Sequence, residues 1–235
     1  MKAIDRLIVA IDDAGLAGVM RTANKLRESV ATVKIGSTAF NANGPLAVQA
    51  LAQLGLRVFL DLKLFDIPEQ VSGAVRAMTR PGVFMMTVHT LGGPEMMTAA
   101  KRASQDEADR LGLPAPLIVG VTVLTSLDDS WLARVGLPGT AETVPLLAVA
   151  ARDAGLDGVV CSALECAGVK AVCGDEFLTV VPGIRPSGTS RDDQKRIATP
   201  SFARSQGADY LVVGRPITGA ADPQRAAATI LRDMD

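Results

Sequence analysis

The stretch Phe59-Leu60-Asp61-Leu62-Lys63-Leu64-Phe65-Asp66-Ile67-Pro68 places two carboxylates and an ammonium within six residues. Side chains alternate across a strand, so Phe59, Asp61 and Lys63 share one face and Val58, Leu60 and Leu62 the other. The all-apolar set suits a face covered by helices, which turns the charged set inward. A lysine flanked by aspartates stays protonated. It therefore suits stabilising negative charge or delivering a proton better than attacking as a free amine. An isolated pair of this kind also fits a buried ion pair that merely satisfies itself. Further charges weigh against that bland reading. Lys34 shares its strand face with Thr32 and Gly36, and Asp12 falls opposite Leu7, Val9 and Ile11. Ionisable groups converging on one cleft point to function.

A second constellation is built for phosphate. Val180-Val181-Pro182-Gly183-Ile184-Arg185-Pro186 and Val212-Val213-Gly214-Arg215-Pro216 are two similar turns, each pairing glycine with arginine. Glycine lets backbone approach a ligand closely, and a guanidinium grips phosphate through two donors. One such arginine alone would pass for a solvated loop charge. The polar segment PSGTSRDDQ after Arg185 suits a phosphate-gripping loop. The single histidine, His89, makes a histidine-based acid/base mechanism unattractive and is read as a structural polar residue. Cys161, Cys166 and Cys173 lack paired C-x-x-C spacing and are read as buried reduced thiols rather than zinc ligands.

These groups need elements to position them. The apolar, β-branched runs Leu7–Asp12, Thr32–Gly36, Val58–Lys63, Val83–His89, Ile118–Leu124, Gly158–Ser162, Leu178–Pro182 and Tyr210–Gly214 predict eight strands. Amphipathic stretches near 15–29, 44–54, 68–80, 94–111, 141–154, 163–173, 192–206 and 223–233 predict helices between them, with a shorter one near 128–135. Ser162 and Asp222 are candidate caps, and Pro45, Pro68, Pro94 and Pro223 sit where first helical turns begin. Strict alternation of strand and helix implies parallel strands. Eight units predict an α/β chain folded as a single (β/α)8 TIM barrel over residues 1–235, with its active site at the C-terminal strand ends. The alternative is an open doubly wound sheet, but AIDDAGLAG matches its Gly-rich fingerprint poorly. Asp12, Lys34, Asp61, Lys63, Asp66, His89, Thr125, Ser126, Arg185, Gly214 and Arg215 all fall at those ends.

The chain has 235 residues, 48% hydrophobic and 21% charged, with a net charge of −1. That balance supports a packed core and argues against a nucleic-acid binder, which carries a basic face. The start MKAIDRLIVAIDDAG reads as a first strand rather than a signal peptide, and no apolar run is long enough to span a bilayer. A cytoplasmic protein is the expectation.

LIVAID, VKIG, FLDLKLFDIP, VHTLGG, VTVLTS, DGVVCSA, VVPGIRP and YLVVGRPIT together resemble the orotidine 5′-phosphate decarboxylase family, from about Leu7 to the C-terminal helix. FLDLK-x-x-DIP is the most specific of them. The resemblance implies a cofactor-free, metal-free homodimer that converts orotidine monophosphate to uridine monophosphate and CO₂. It implies that Lys34, Asp61, Lys63 and Asp66 form an alternating charge network, with Lys63 the proton donor. Asp66 and Ile67 would reach into the neighbouring subunit's site. Asp12 and Lys34 would contact ribose, Thr125 and Ser126 would close over the pyrimidine, and Pro182 would join the substrate-binding set. Arg185, Gln194, Gly214 and Arg215 would hold phosphate. The chain departs from the family at Glu69-Gln70, where Asn-Thr is common, and at VHTLGG, where VHASGG is frequent.

Three other functions are compatible with a phosphate-binding barrel. A metal-dependent sugar-phosphate lyase or decarboxylase, such as hexulose-phosphate synthase or keto-gulonate phosphate decarboxylase, shares the D-x-K-x-x-D strand. It usually carries a metal-binding glutamate at strand two, where this chain has the cation-repelling Lys34. A Schiff-base aldolase would use Lys63 as nucleophile. A non-catalytic barrel would bind the phosphate ligand and leave it unchanged.

Overall fold

The computed structural model describes residues 2–186 and 196–234. Its centre is a closed barrel of eight parallel strands in sequence order: β1 (Leu7–Ile11), β2 (Thr32–Gly36), β3 (Arg57–Leu64), β4 (Val83–His89), β5 (Leu117–Val121), β6 (Gly158–Val160), β7 (Leu178–Val181) and β8 (Tyr210–Val213). The barrel closes where Leu7, Ile8 and Val9 pair with Leu211, Val212 and Val213. The closed ring excludes the open doubly wound alternative.

The alternation in the strands produces two apolar layers. Ile8, Ala10, Phe59, Met85, Val119, Val180, Tyr210 and Val212 pack inside the barrel. Leu7, Val9, Ile11, Val33, Ile35, Val58 and Leu60 face the surrounding helices. A fully parallel sheet must be covered on its outer face, and the helices supply that cover. Gly93–Leu111 and Thr140–Asp153 are the longest, and Pro45, Pro68, Pro94 and Pro223 all occupy first turns. Asp222 caps its helix by accepting from Arg225 N.

Several boundaries differ from expectation. A helix at Ser37–Asn43, not foreseen, fills the turn between β2 and Pro45–Gln53; Asn43 secures it by donating to Ala14 O and Ala39 O at 2.8 Å each. The helix expected at 192–206 is Pro200–Ser205 within the described residues, capped by Thr199 and started by Pro200. Residues 196–199 are not helical because Ala198 pairs with Ile184 beside the end of β7. Ser162 caps no helix: Cys166–Cys173 begins four residues later, after a turn in which Glu165 accepts from Ser162 N. Cys161 and Cys166 are buried free thiols with sulfurs 3.8 Å apart, whereas Cys173 is only partly buried. No helix among the described residues is long and apolar enough to cross a membrane.

Candidate active site

The charged array at the barrel mouth begins as a break in β3. Leu60 pairs with Met86 but Leu64 pairs with Val88, so Asp61, Leu62 and Lys63 occupy a bulge opposite Thr87. A bulge re-aims side chains where a regular ladder would not. Lys63 sits in it with φ +50°, the only non-glycine residue at positive φ among those described. Such a conformation costs a β-carbon-bearing residue about 1 kcal/mol or more and persists only where its surroundings enforce it. Here Lys63 N donates to Thr87 Oγ1 at 2.8 Å, and Thr87 Oγ1 donates in turn to Asp61 Oδ1 at 3.1 Å. Thr87 is fully buried. Nothing in VFMMTVH set this threonine apart, because a neutral hydroxyl on a strand carries no charge signal.

The side chains complete a chain of alternating charge. Lys63 Nζ lies 2.8 Å from Asp61 Oδ1, Lys34 Nζ lies 3.4 Å from Asp61 Oδ2, and Lys34 Nζ lies 3.7 Å from Asp12 Oδ1. Each oxygen of Asp61 thus meets one lysine. Burial raises the Asp61 pKa, but Lys34, Lys63 and the hydrogen bonds from Lys63 and Thr87 outweigh it and hold the carboxyl below its usual value. The Lys63 side chain is 38% exposed, against 12% for Lys34, so its ammonium is the one that faces the opening.

These groups line a cavity of about 280 Å³. Its lining comprises Asp12, Lys34, Asp61 and Lys63 from β1 to β3; Val123, Leu124, Thr125 and Ser126 beyond β5; and Pro182, Gly183, Arg185, Gly214 and Arg215 beyond β7 and β8. Among the described residues, the lining holds four cations, Lys34, Lys63, Arg185 and Arg215, and two carboxylates, Asp12 and Asp61, a balance that favours an anionic ligand. Gly183 has φ +75°, which a side chain would strain, and it places the 182–185 turn against the cavity. Arg185 is held by Arg185 N donating to Ala198 O at 2.8 Å.

Some expected residues stand elsewhere. Asp66 and Ile67 do not line the cavity; both are exposed at the rim, and Asp66 Oδ1 accepts from Ile67 N. Gln70 is exposed on the first turn of Pro68–Met78 and likewise stays outside the cavity. Gln194 lies outside the described residues. His89 stacks on Phe65 at 5.4 Å and accepts from Leu91 N through Nδ1. Burial, then the nearby Lys63 charge, lower its pKa, so it is neutral at neutral pH. Arg196, which the sequence did not single out, joins Glu165 in a buried ion pair behind the Thr125 wall. No cluster of three or more metal-ligating side chains occurs among the described residues.

Comparison with known proteins finds relatives along the whole chain. Residues 5–230 match the model of the orotidine 5′-phosphate decarboxylase / HUMPS family. The orotidine 5′-phosphate decarboxylase of Moorella thermoacetica is 46% identical over all of this chain and 94% of its own length. That of Paramagnetospirillum magneticum is 45% identical over 98% of this chain and 99% of its own. The crystal structure of orotidine 5′-phosphate decarboxylase from Lactobacillus acidophilus superimposes with a TM-score of 0.85 at 36% identity, covering 98% of this chain and 99% of that one. With its barrel, its lysine–aspartate array and these relatives, the chain belongs to the orotidine 5′-phosphate decarboxylase family.

Proposed function

We propose that this chain decarboxylates orotidine 5′-phosphate to uridine 5′-phosphate through the Lys34–Asp61–Lys63 array, with Lys63 as the proton donor. The single observation that carries this is the Lys63 ammonium, pinned on Asp61 in a strained bulge at a cavity rich in cations. When CO₂ leaves C6 of the pyrimidine, the electron pair of the broken C–C bond stays on C6. That pair lies in the plane of the ring, orthogonal to its π system, so no carbonyl delocalises it and the charge must be met from outside the ring. The Lys63 cation meets it, then passes a proton from Nζ to C6, and the neutral amine regains its proton from solvent. A preorganised donor aimed at developing charge is worth about 3 kcal/mol.

Asp61 keeps Lys63 charged and oriented, and Lys34 balances the second oxygen of Asp61. Lys34 and Asp12 also stand where ribose hydroxyls would bind. Arg185, Arg215 and the Gly214 backbone, beyond β7 and β8, receive the phosphate. Thr125 and Ser126 face the pyrimidine. Phosphate is remote from the reacting carbon, so its binding energy serves orientation and closure. No step in this scheme calls on a metal or an organic cofactor.

The working assembly in this reading is a cytoplasmic homodimer in which Asp66 and Ile67 complete the neighbouring site. Its support is an apolar rim: Phe65, Ile67 and Leu91 are 61%, 64% and 51% exposed beside Asp66.

The test is loss of orotidine monophosphate absorbance in the presence of a chelator, repeated in D₂O. Chelator-resistant turnover with deuterium appearing at C6 of the product is expected. Turnover abolished by chelator would favour a metal-dependent lyase, and covalent trapping by borohydride would favour a Schiff base.

A further inference from the structure

The cavity wall that carries Thr125 and Ser126 lies beyond the end of β5. Thr122 is still tied to the barrel, since its N and Oγ1 both donate to Val160 O. The next two carbonyls, of Val123 and Leu124, turn away from the strands. Both accept from one atom, Nη2 of Arg196, at 3.0 Å each. The same guanidinium meets Glu165 through Nη1. Glu165 is 8% exposed, and its other carboxylate oxygen accepts from Ser162 N at 2.8 Å, just past β6. Arg196 does not itself line the cavity.

Removing two charges from water is expensive, and a buried ion pair gives little net stability in return. This pair instead joins three strand ends. It fixes the end of β5 to the turn after β6, and Arg196 lies two residues before Ala198, whose carbonyl accepts from Arg185 N beside β7. The planar fork reaches the carboxylate through Nη1 and the two carbonyls through Nη2, a spacing set by two separate nitrogens rather than by one.

We propose that Arg196 is a positioning residue for decarboxylation, holding the Thr125–Ser126 wall against the substrate and tying that wall to the arginine turn at the phosphate end. This inference rests on the function proposed above, because the wall matters only if a pyrimidine nucleotide fills the cavity. It would make Glu165 the anchor of the guanidinium rather than a partner of substrate.

Arg196→Lys and Glu165→Gln, in the full chain, test it. Three quantities are read: kcat/KM for orotidine monophosphate, the thermal midpoint, and amide hydrogen exchange of residues 122–128. Arg196→Lys should lower kcat/KM at least tenfold while leaving the midpoint near that of wild type. Exchange in 122–128 should quicken, and saturating uridine monophosphate should slow it again. A merely structural residue would not show that ligand-restored protection. Glu165→Gln should lose about threefold, and the double variant should lose less than the product of the single losses. If Arg196→Lys does not fold, Glu165→Gln decides by the same readings. Wild-type kcat/KM with unchanged exchange in the folded variant would overturn the proposal. So would a loss that only follows the unfolded fraction. A wild-type chain unable to convert orotidine monophosphate would remove the reaction instead, and the exchange comparison would still judge the latch.

Discussion

At the N-terminal end of the barrel, Lys101 and Lys170 each have an aspartate to themselves; at the C-terminal end, Lys34 and Lys63 divide one between them. Lys101 meets both oxygens of Asp157 at 2.6 and 2.7 Å, and Asp157 Oδ2 also accepts from Ile118 N. Lys170 meets Asp209 Oδ2 at 2.7 Å, and that oxygen also accepts from Thr179 N. In both cases a helix lysine holds the aspartate that precedes one strand, and the aspartate secures the start of the strand before it. The motif repeats two βα units apart, on β5–β6 and on β7–β8. Every group in it has its partners, and the backbone is regular. At the mouth the backbone is bulged, Lys63 is left-handed, and four cations and two carboxylates among the described residues line one cavity. The contrast separates charge used for folding from charge held ready for a ligand. The same residue types do both, and what distinguishes them is whether they brace the start of a strand or line the cavity.

The comparison can be broken most sharply at Lys63. Lys63→Ala should cut kcat about a thousandfold, which corresponds to about 4 kcal/mol of lost transition-state stabilisation. Its urea midpoint should hardly change, because the Lys63 side chain is 38% exposed and Asp61 keeps Lys34. The reverse outcome is expected at the other end. Lys101→Met should cost about 2–3 kcal/mol of stability, because it strands a largely buried carboxylate. Its kcat should stay within twofold of wild type, as equilibrium unfolding beside a steady-state assay would establish.

A smaller effect isolates the strain. At φ +50°, glycine is easier to accommodate than alanine, so Lys63→Gly should be more stable than Lys63→Ala by about 1 kcal/mol. Equal stabilities would mean that the bulge stores nothing. The smallest effect is in pH. The Asp61 pKa lies below its usual value of 3.8, so its contribution to stability is complete above that value and is lost as pH falls through the lower native one. Removing Asp61 by Asp61→Asn should therefore flatten the acid end of the stability profile and leave the neutral region parallel to wild type.

Much of the mouth was legible in the sequence because period-two alternation separates Asp61 and Lys63 from Leu60 and Leu62, and because two Gly-Arg turns fall at adjacent strand ends. The barrel followed from eight alternating units. What escaped depends on contacts between distant parts of the chain. Thr87 matters through a bulge that no local pattern encodes. Arg196 acts on carbonyls 72 and 73 residues away, and carbonyls are the same at every residue. The helix expected at 192–206 shortened, within the described residues, because pairing of Ala198 with Ile184 overrode its helical tendency. The Thr199-Pro200 cap and first turn were the available signal. Alternation alone could not separate Asp66 at the rim from Asp61 in the wall; only the family resemblance set Asp66 apart, as a residue reaching toward a neighbouring site.

The most direct measurement sets Lys63→Ala beside Lys101→Met in one ultraviolet assay of orotidine monophosphate, with both proteins shown to be folded. Loss of turnover in the first and near wild-type turnover in the second is the expected result. Lys63→Ala turning over at the wild-type rate would contradict the claim that this ammonium meets the electron pair left by CO₂.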